Sequence, residues 1–108
     1  MTPEEAAKRV KEGKAILIDV REAGEWADTG VAESAVLLSL SDLRGDRSAW
    51  KPFLKENKDK ELILYCRSGN RSGIAARILS KEGYRVANAG GFKHWKSNGL
   101  PVRSVSKE

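Results

Sequence analysis

Apolar residues in this chain gather into short unbroken runs, and between the runs they recur at helical spacing. Ala15-Ile16-Leu17-Ile18, Ala35-Val36-Leu37-Leu38 and Leu62-Ile63-Leu64-Tyr65 are continuous and bounded by polar residues, the pattern of parallel strands covered on both faces. Arg85-Val86-Ala87-Asn88 reads as a fourth strand, weaker in composition. Thr2-Pro3-Glu4-Glu5 opens a helix, with Thr2 as N-cap, Pro3 at the first position and Glu5 closing a capping box. That helix runs to about Glu12 and stops at Gly13. After Asp19-Val20-Arg21-Glu22 comes a short amphipathic stretch around Glu25-Trp26-Ala27, broken at Gly30. Leu43, Trp50, Phe53 and Leu54 place helical pieces between Ser41 and Lys55, interrupted at Gly45 and Pro52. Ile74/Ile78 and Ala75/Leu79 stand at i,i+4 in a helix from about Ser72 to Lys81, with Gly83 as its stop. Gly90-Gly91-Phe92-Lys93-His94-Trp95 turns into a last short helix ended by Asn98-Gly99, and Leu100-Pro101-Val102 closes the fold before a polar tail from about residue 103. Strands alternating with helices predict an α/β domain with a mainly parallel sheet.

Length and composition narrow the classes open to such a domain. The chain of 108 residues suits a single domain over residues 1–108, and 40% hydrophobic with 32% charged residues is a globular balance. The apolar runs are too short to cross a membrane. The polar, acidic N-terminus is no signal peptide, although an export signal trimmed from the chain leaves no mark in it. The net charge of +5 raises nucleic acid as a partner. Against it, the lysines are scattered among acidic residues and no aromatic platform is interleaved with them, so no nucleic acid is expected. The positive balance instead helps to draw in a small anion. One Cys and one His exclude an internal disulfide and leave too few ligands for zinc, so no metal and no cofactor are expected. An unpaired thiol fits a reducing compartment, the cytoplasm, and a monomer is expected.

The position of that Cys carries the chemistry. Cys66 ends the third apolar run and opens the loop Arg67-Ser68-Gly69-Asn70-Arg71-Ser72 ahead of the helix. A strand, a short loop with Gly and Arg, and a helix start make an anion cradle of backbone N–H groups, helix dipole and cations. A thiol there ionises more readily than its reference pKa of about 8.5, because the cradle stabilises thiolate. The plain alternative is an inert core cysteine, which two Arg and a Gly within five residues argue against. In α/β sheets ligands sit beyond the carboxyl ends of strands, where Cys66 falls.

Four segments together resemble one family. Leu17-Ile18-Asp19-Val20-Arg21-Glu22 is similar to the first block of rhodanese-type sulfurtransferase domains, and Tyr65 to Ser72 resembles their active-site loop. Gly90-Gly91-Phe92-Lys93-His94-Trp95 and Gly99-Leu100-Pro101-Val102 resemble their C-terminal signature. The resemblance covers essentially the whole chain, in order and at the right spacing. It implies a rhodanese-like α/β fold, a central mainly parallel sheet flanked by helices on both faces. One departure stands out. Where the family commonly has Gly-His-Ile-Pro-Gly-Ala, this chain has Gly30-Val31-Ala32-Glu33-Ser34-Ala35, a segment that shapes a turn and is not the sulfur carrier.

The resemblance implies a thiosulfate sulfurtransferase with Cys66 as sulfur carrier. A sulfane sulfur passes from thiosulfate or a similar anionic donor to a Cys66 persulfide, and then to cyanide or a thiol. Arg67, Ser68, Gly69, Asn70, Arg71 and Ser72 form the substrate-binding loop. Arg67 and Arg71 bind the sulfonate end of the donor; for Arg71 the alternative is an ion pair that fixes the loop. Gly69 permits a backbone angle the loop needs, and Ser72 caps the helix, joins the cradle, or both. Asp19 and Arg21 are expected to support the loop structurally, and the three Trp to pack the core. His94, on a helix surface, is not expected to pair with Cys66. Three rivals remain: a binding module without turnover, a persulfide carrier for a protein acceptor, and a phosphatase or arsenate reductase. Phosphatase loops place Arg six residues after the Cys, where this chain has Ser72.

Overall fold

The structure, a computed structural model, describes residues 1–106; Lys107 and Glu108, the end of the expected polar tail, lie outside the described residues. Four parallel strands form the sheet in the order β3-β1-β4-β5, from β1 (Ala15–Asp19), β3 (Val36–Leu37), β4 (Glu61–Cys66) and β5 (Val86–Gly91). β1 and β4 are central, and their side chains alternate between two apolar layers. Ile18, Leu62, Leu64 and Cys66 enter one layer with Leu40, Leu43, Trp50, Leu54, Ala75 and Leu79. Those last six come from α3 (Leu40–Arg44), α4 (Trp50–Glu56) and α5 (Asn70–Lys81). Leu17, Ile63 and Tyr65 enter the other layer, against α1 (Pro3–Lys11) and α6 (Phe92–Ser97). Helices therefore cover both faces, as the unbroken runs require. Among the described residues, no helix is long and apolar enough to cross a membrane.

Local chemistry explains the element ends. Thr2 Oγ1 accepts from the Glu5 N–H at 3.1 Å, while the Glu5 carboxylate takes the Thr2 hydroxyl at 3.4 Å, so only half of the expected capping box forms at α1. A complete one opens α2 (Ala23–Thr29), between Glu22 and Glu25. Pro52 does not interrupt a helix. It stands in the first turn of α4, where its missing N–H has no intrahelical partner to lose. α5 starts at Asn70, earlier than the Ser72 that periodicity predicts, because Gly69 and not Ser72 is its N-cap. β5 runs on through Gly91, into the Gly-Gly pair expected to turn toward α6.

The segment that departs from the family pattern forms β2 (Val31–Ala32), a strand absent from the sequence prediction. It pairs antiparallel with β6 (Val102–Arg103), which carries the paired chain to the start of the expected tail. The Arg103 guanidinium adds bonds to the carbonyls of Glu33 and Ala35 at 3.1 and 2.8 Å. Backbone pairing and an arginine clamp thus hold the turn that lacks the family's His and Pro.

Candidate active site

Strand parity and the start of α5 together place the thiol. Cys66 is the last residue of β4, its side chain lies on the α5 side, and it is 1% exposed. The chain then turns over Arg67 and Ser68 into Gly69, whose φ of +95° is open to glycine and costly for other residues. This angle turns the Gly69 N–H back onto Cys66 Sγ at 3.0 Å. Ser72, in the first turn of α5 and fully buried, brings its Oγ to 3.4 Å from the sulfur. Burial pushes the thiol pKa up, yet the bonds that reach the sulfur, from the Ser72 hydroxyl when its proton turns to Sγ and from the N–H groups of Ser72, Ser68 and Gly69, outweigh it, and the net shift is downward.

β5 fits the loop from the other side. Leu64 is in register with Asn88 and Cys66 with Gly91, so β5 carries an extra residue there, a bulge. Gly91 is packed so tightly that a Cβ on it would sit 2.3 Å from the Arg67 carbonyl oxygen, which only glycine avoids. Asn88 Nδ2 donates to the Gly69 carbonyl at 3.0 Å, and its Oδ1 accepts from the Gly90 N–H at 2.9 Å and the Ser72 hydroxyl at 2.7 Å. Sequence reading missed Asn88. The available signal was an Asn in a strand, where that residue is depleted.

The charged residues divide. Arg71 is tied by both terminal nitrogens to the Glu25 carboxylate, at 2.5 and 2.7 Å. Of the two roles open to Arg71, the geometry supports the ion pair. Arg71 in turn holds the Glu25 carboxyl at a pKa of about 2. Glu25 was also missed, since its partner lies 46 residues away. Arg67 is exposed and lines a cleft of about 410 Å³ with Phe92, Lys93 and Lys96. Ser68 and Asn70 are exposed on the loop's outer side. Asp19 and Arg21 form a buried pair at 2.8 Å, with Arg21 also bonded to Thr29 Oγ1 and the Gly30 carbonyl, both at 2.9 Å, and stacked 4.6 Å above Phe92. They hold the end of α2, the helix that carries Glu25, and Arg21 also lies over the rings of Tyr65 and Phe92, which flank the loop. Trp50 and Trp95 are buried, Trp26 is half-buried, and His94 is exposed on α6.

The model of the Rhodanese-like domain family matches residues 2–98. A sulfurtransferase of Allochromatium vinosum is 37% identical over 89 residues, covering 81% of this chain and 77% of that one. The thiosulfate sulfurtransferase GlpE of Pseudomonas savastanoi is 31% identical over 98 residues, covering 88% and 85%. Among solved structures, a rhodanese-related protein from Thermoplasma volcanium superposes with a TM-score of 0.79 at 28% identity, over 95% of each chain. With its parallel sheet, its strand–loop–helix cysteine and this family match, the chain belongs to the rhodanese-like domain family and shares it with named sulfurtransferases.

Proposed function

We propose that this protein is a thiosulfate sulfurtransferase that works through a persulfide on Cys66. The setting of the sulfur carries this reading: Sγ accepts the Gly69 N–H at 3.0 Å and lies at the start of a twelve-residue helix, in surroundings that lower its pKa. The Cys66 thiolate attacks the outer sulfur of thiosulfate. The S–S bond of the donor breaks, sulfite leaves with the electron pair, and a Cys66 persulfide remains. Cyanide or an acceptor thiolate then attacks the terminal sulfur, and the bonding pair returns to Sγ. Neither step moves a proton, so no general base is needed. The N–H groups of Ser68, Gly69 and Ser72 hold negative charge on sulfur in both forms, as an oxyanion hole holds oxygen. With Arg71 occupied by Glu25, Arg67 is the loop cation that meets the sulfonate, and Lys93 and Lys96 extend the positive edge of the cleft. A single domain acting as a monomer suffices for this cycle, and a lone thiol persists best in the cytoplasm.

Steady-state kinetics test the cycle. Varying thiosulfate at several cyanide concentrations gives the parallel double-reciprocal lines of a ping-pong enzyme, and Cys66→Ser loses turnover while remaining folded. A Cys66→Ser protein that turned over thiosulfate at the parent rate would overturn the proposal. A persulfide that forms but resists cyanide and small thiols would redirect the second step to a protein acceptor.

A further inference from the structure

Ser72 has one hydroxyl proton and two acceptors within reach, Asn88 Oδ1 at 2.7 Å and Cys66 Sγ at 3.4 Å. The amide of Asn88 decides between them. Its Nδ2 meets the Gly69 carbonyl, which only accepts, and its Oδ1 meets the Gly90 N–H, which only donates. Both partners are backbone groups of fixed polarity, so the amide cannot be turned end for end. Oδ1 therefore faces Ser72 as an acceptor, and a 2.7 Å contact requires the hydroxyl to donate to it. What Ser72 then offers the sulfur is lone pairs. It can receive a thiol S–H, and it gives nothing to a thiolate.

The fold explains how an amide comes to stand here. Asn88 is in register with Leu64, whose side chain packs on the α5 side, so strand alternation turns Asn88 to that side as well. The extra β5 residue that follows lets Gly91 close on the loop without dislodging Asn88.

We propose that Asn88 is a positioning residue that acts on Cys66 through Ser72, holding the hydroxyl proton so that Ser72 helps a thiolate only when that proton turns from Oδ1 to Sγ. The backbone N–H groups are then the permanent donors to sulfur, and Ser72 is a conditional one. This rests on Cys66 being the reacting thiol, but alkylation reads the thiol directly, so a failure of sulfur transfer leaves the test intact. Of the charged groups near Cys66, Arg71 acts on the sulfur directly and is itself matched by Glu25 and Glu22, while Arg67, next in the chain, shares its cleft with Arg21, Asp28, Lys93 and Lys96. Asn88 and Ser72 are neutral, so exchanging them leaves that set unchanged.

The experiment is the pH dependence of iodoacetamide alkylation of the folded chain. Asn88→Leu frees the Ser72 proton for the thiolate, and the thiol pKa falls by about one pH unit. If Asn88 only braced the loop, its loss would loosen the N–H groups around sulfur and raise the pKa. In a Ser72→Ala background the fall produced by Asn88→Leu disappears. Ser72→Ala alone, which does not depend on the leucine variant folding, moves the pKa by less than about half a pH unit, whereas a direct donor would raise it by about one or more. A rise in Asn88→Leu, a fall that persists without Ser72, or a rise of that larger size in Ser72→Ala would each overturn the proposal.

Discussion

At the end of β1 the chain carries Asp19 and Arg21; one strand over, at the end of β4, it carries Cys66 and Arg67. The two junctions are neighbours, with Asp19 in register with Tyr65, and each leads from a parallel strand into a helix. At the first, opposite charges are buried against each other, with Asp19 0% and Arg21 2% exposed, and the donors of Arg21 go to Asp19, Thr29 and Gly30. At the second, the buried group is a thiol ringed by N–H donors, and the cation beside it faces solvent. A junction whose charges are matched internally is scaffold. One that gathers donors around a group able to become an anion is ready to hold it. Arg71 shows the boundary between the two plans: it belongs to the second junction by sequence, yet its charge is matched by Glu25 of α2.

The largest effect should come from breaking the scaffold junction. Arg21→Met leaves Asp19 buried without its partner and costs about 3–5 kcal/mol, read by urea denaturation. A loss under about 1 kcal/mol would mean that the pair is not the closed unit described here. At the thiol junction the balance reverses, with little stability and much function at stake. Arg67→Ala should raise the KM for thiosulfate by about tenfold while stability stays within about 0.5 kcal/mol. Equal losses in both readouts would erase the distinction between the junctions.

The smallest effect lies on the bridge between them. Glu25 has a folded pKa near 2 against an ordinary 4.5, so its contribution is complete above about pH 4.5 and is lost as the pH falls toward 2. Glu25→Gln should therefore be less stable than the parent by at most about 1 kcal/mol at neutral pH. The gap should close on acidification, as followed by denaturation at a series of pH values. A gap that widened at low pH would reverse the sign of the argument.

How much of this could be read from the sequence followed the range of the interactions involved. β1, β4 and α5 were legible because continuous apolar runs and i,i+4 pairs are local signals, and Cys66 was legible because it stands where such a run meets a Gly- and Arg-containing loop. β2 and β6 were not, since two-residue strands have no period and these two partner each other across some seventy residues. Pro52 misled because a proline that breaks a helix interior is harmless in its first turn. Ser72 lies in the first turn of α5, and the cap expected of it falls to Gly69, whose special backbone angle was expected within the loop rather than at the helix start. The Arg71–Glu25 pair and the bonds of Asn88 join distant segments, and only the folded sheet brings them together.

The central claim is that Cys66 carries the sulfur, and intact-mass measurement tests it most directly. Purified protein exposed briefly to thiosulfate should gain the mass of one sulfur atom, lose it on addition of cyanide, and show neither change as Cys66→Ser. A folded protein with a free thiol that gains no mass, or a Cys66→Ser protein that gains the same mass, would contradict the account.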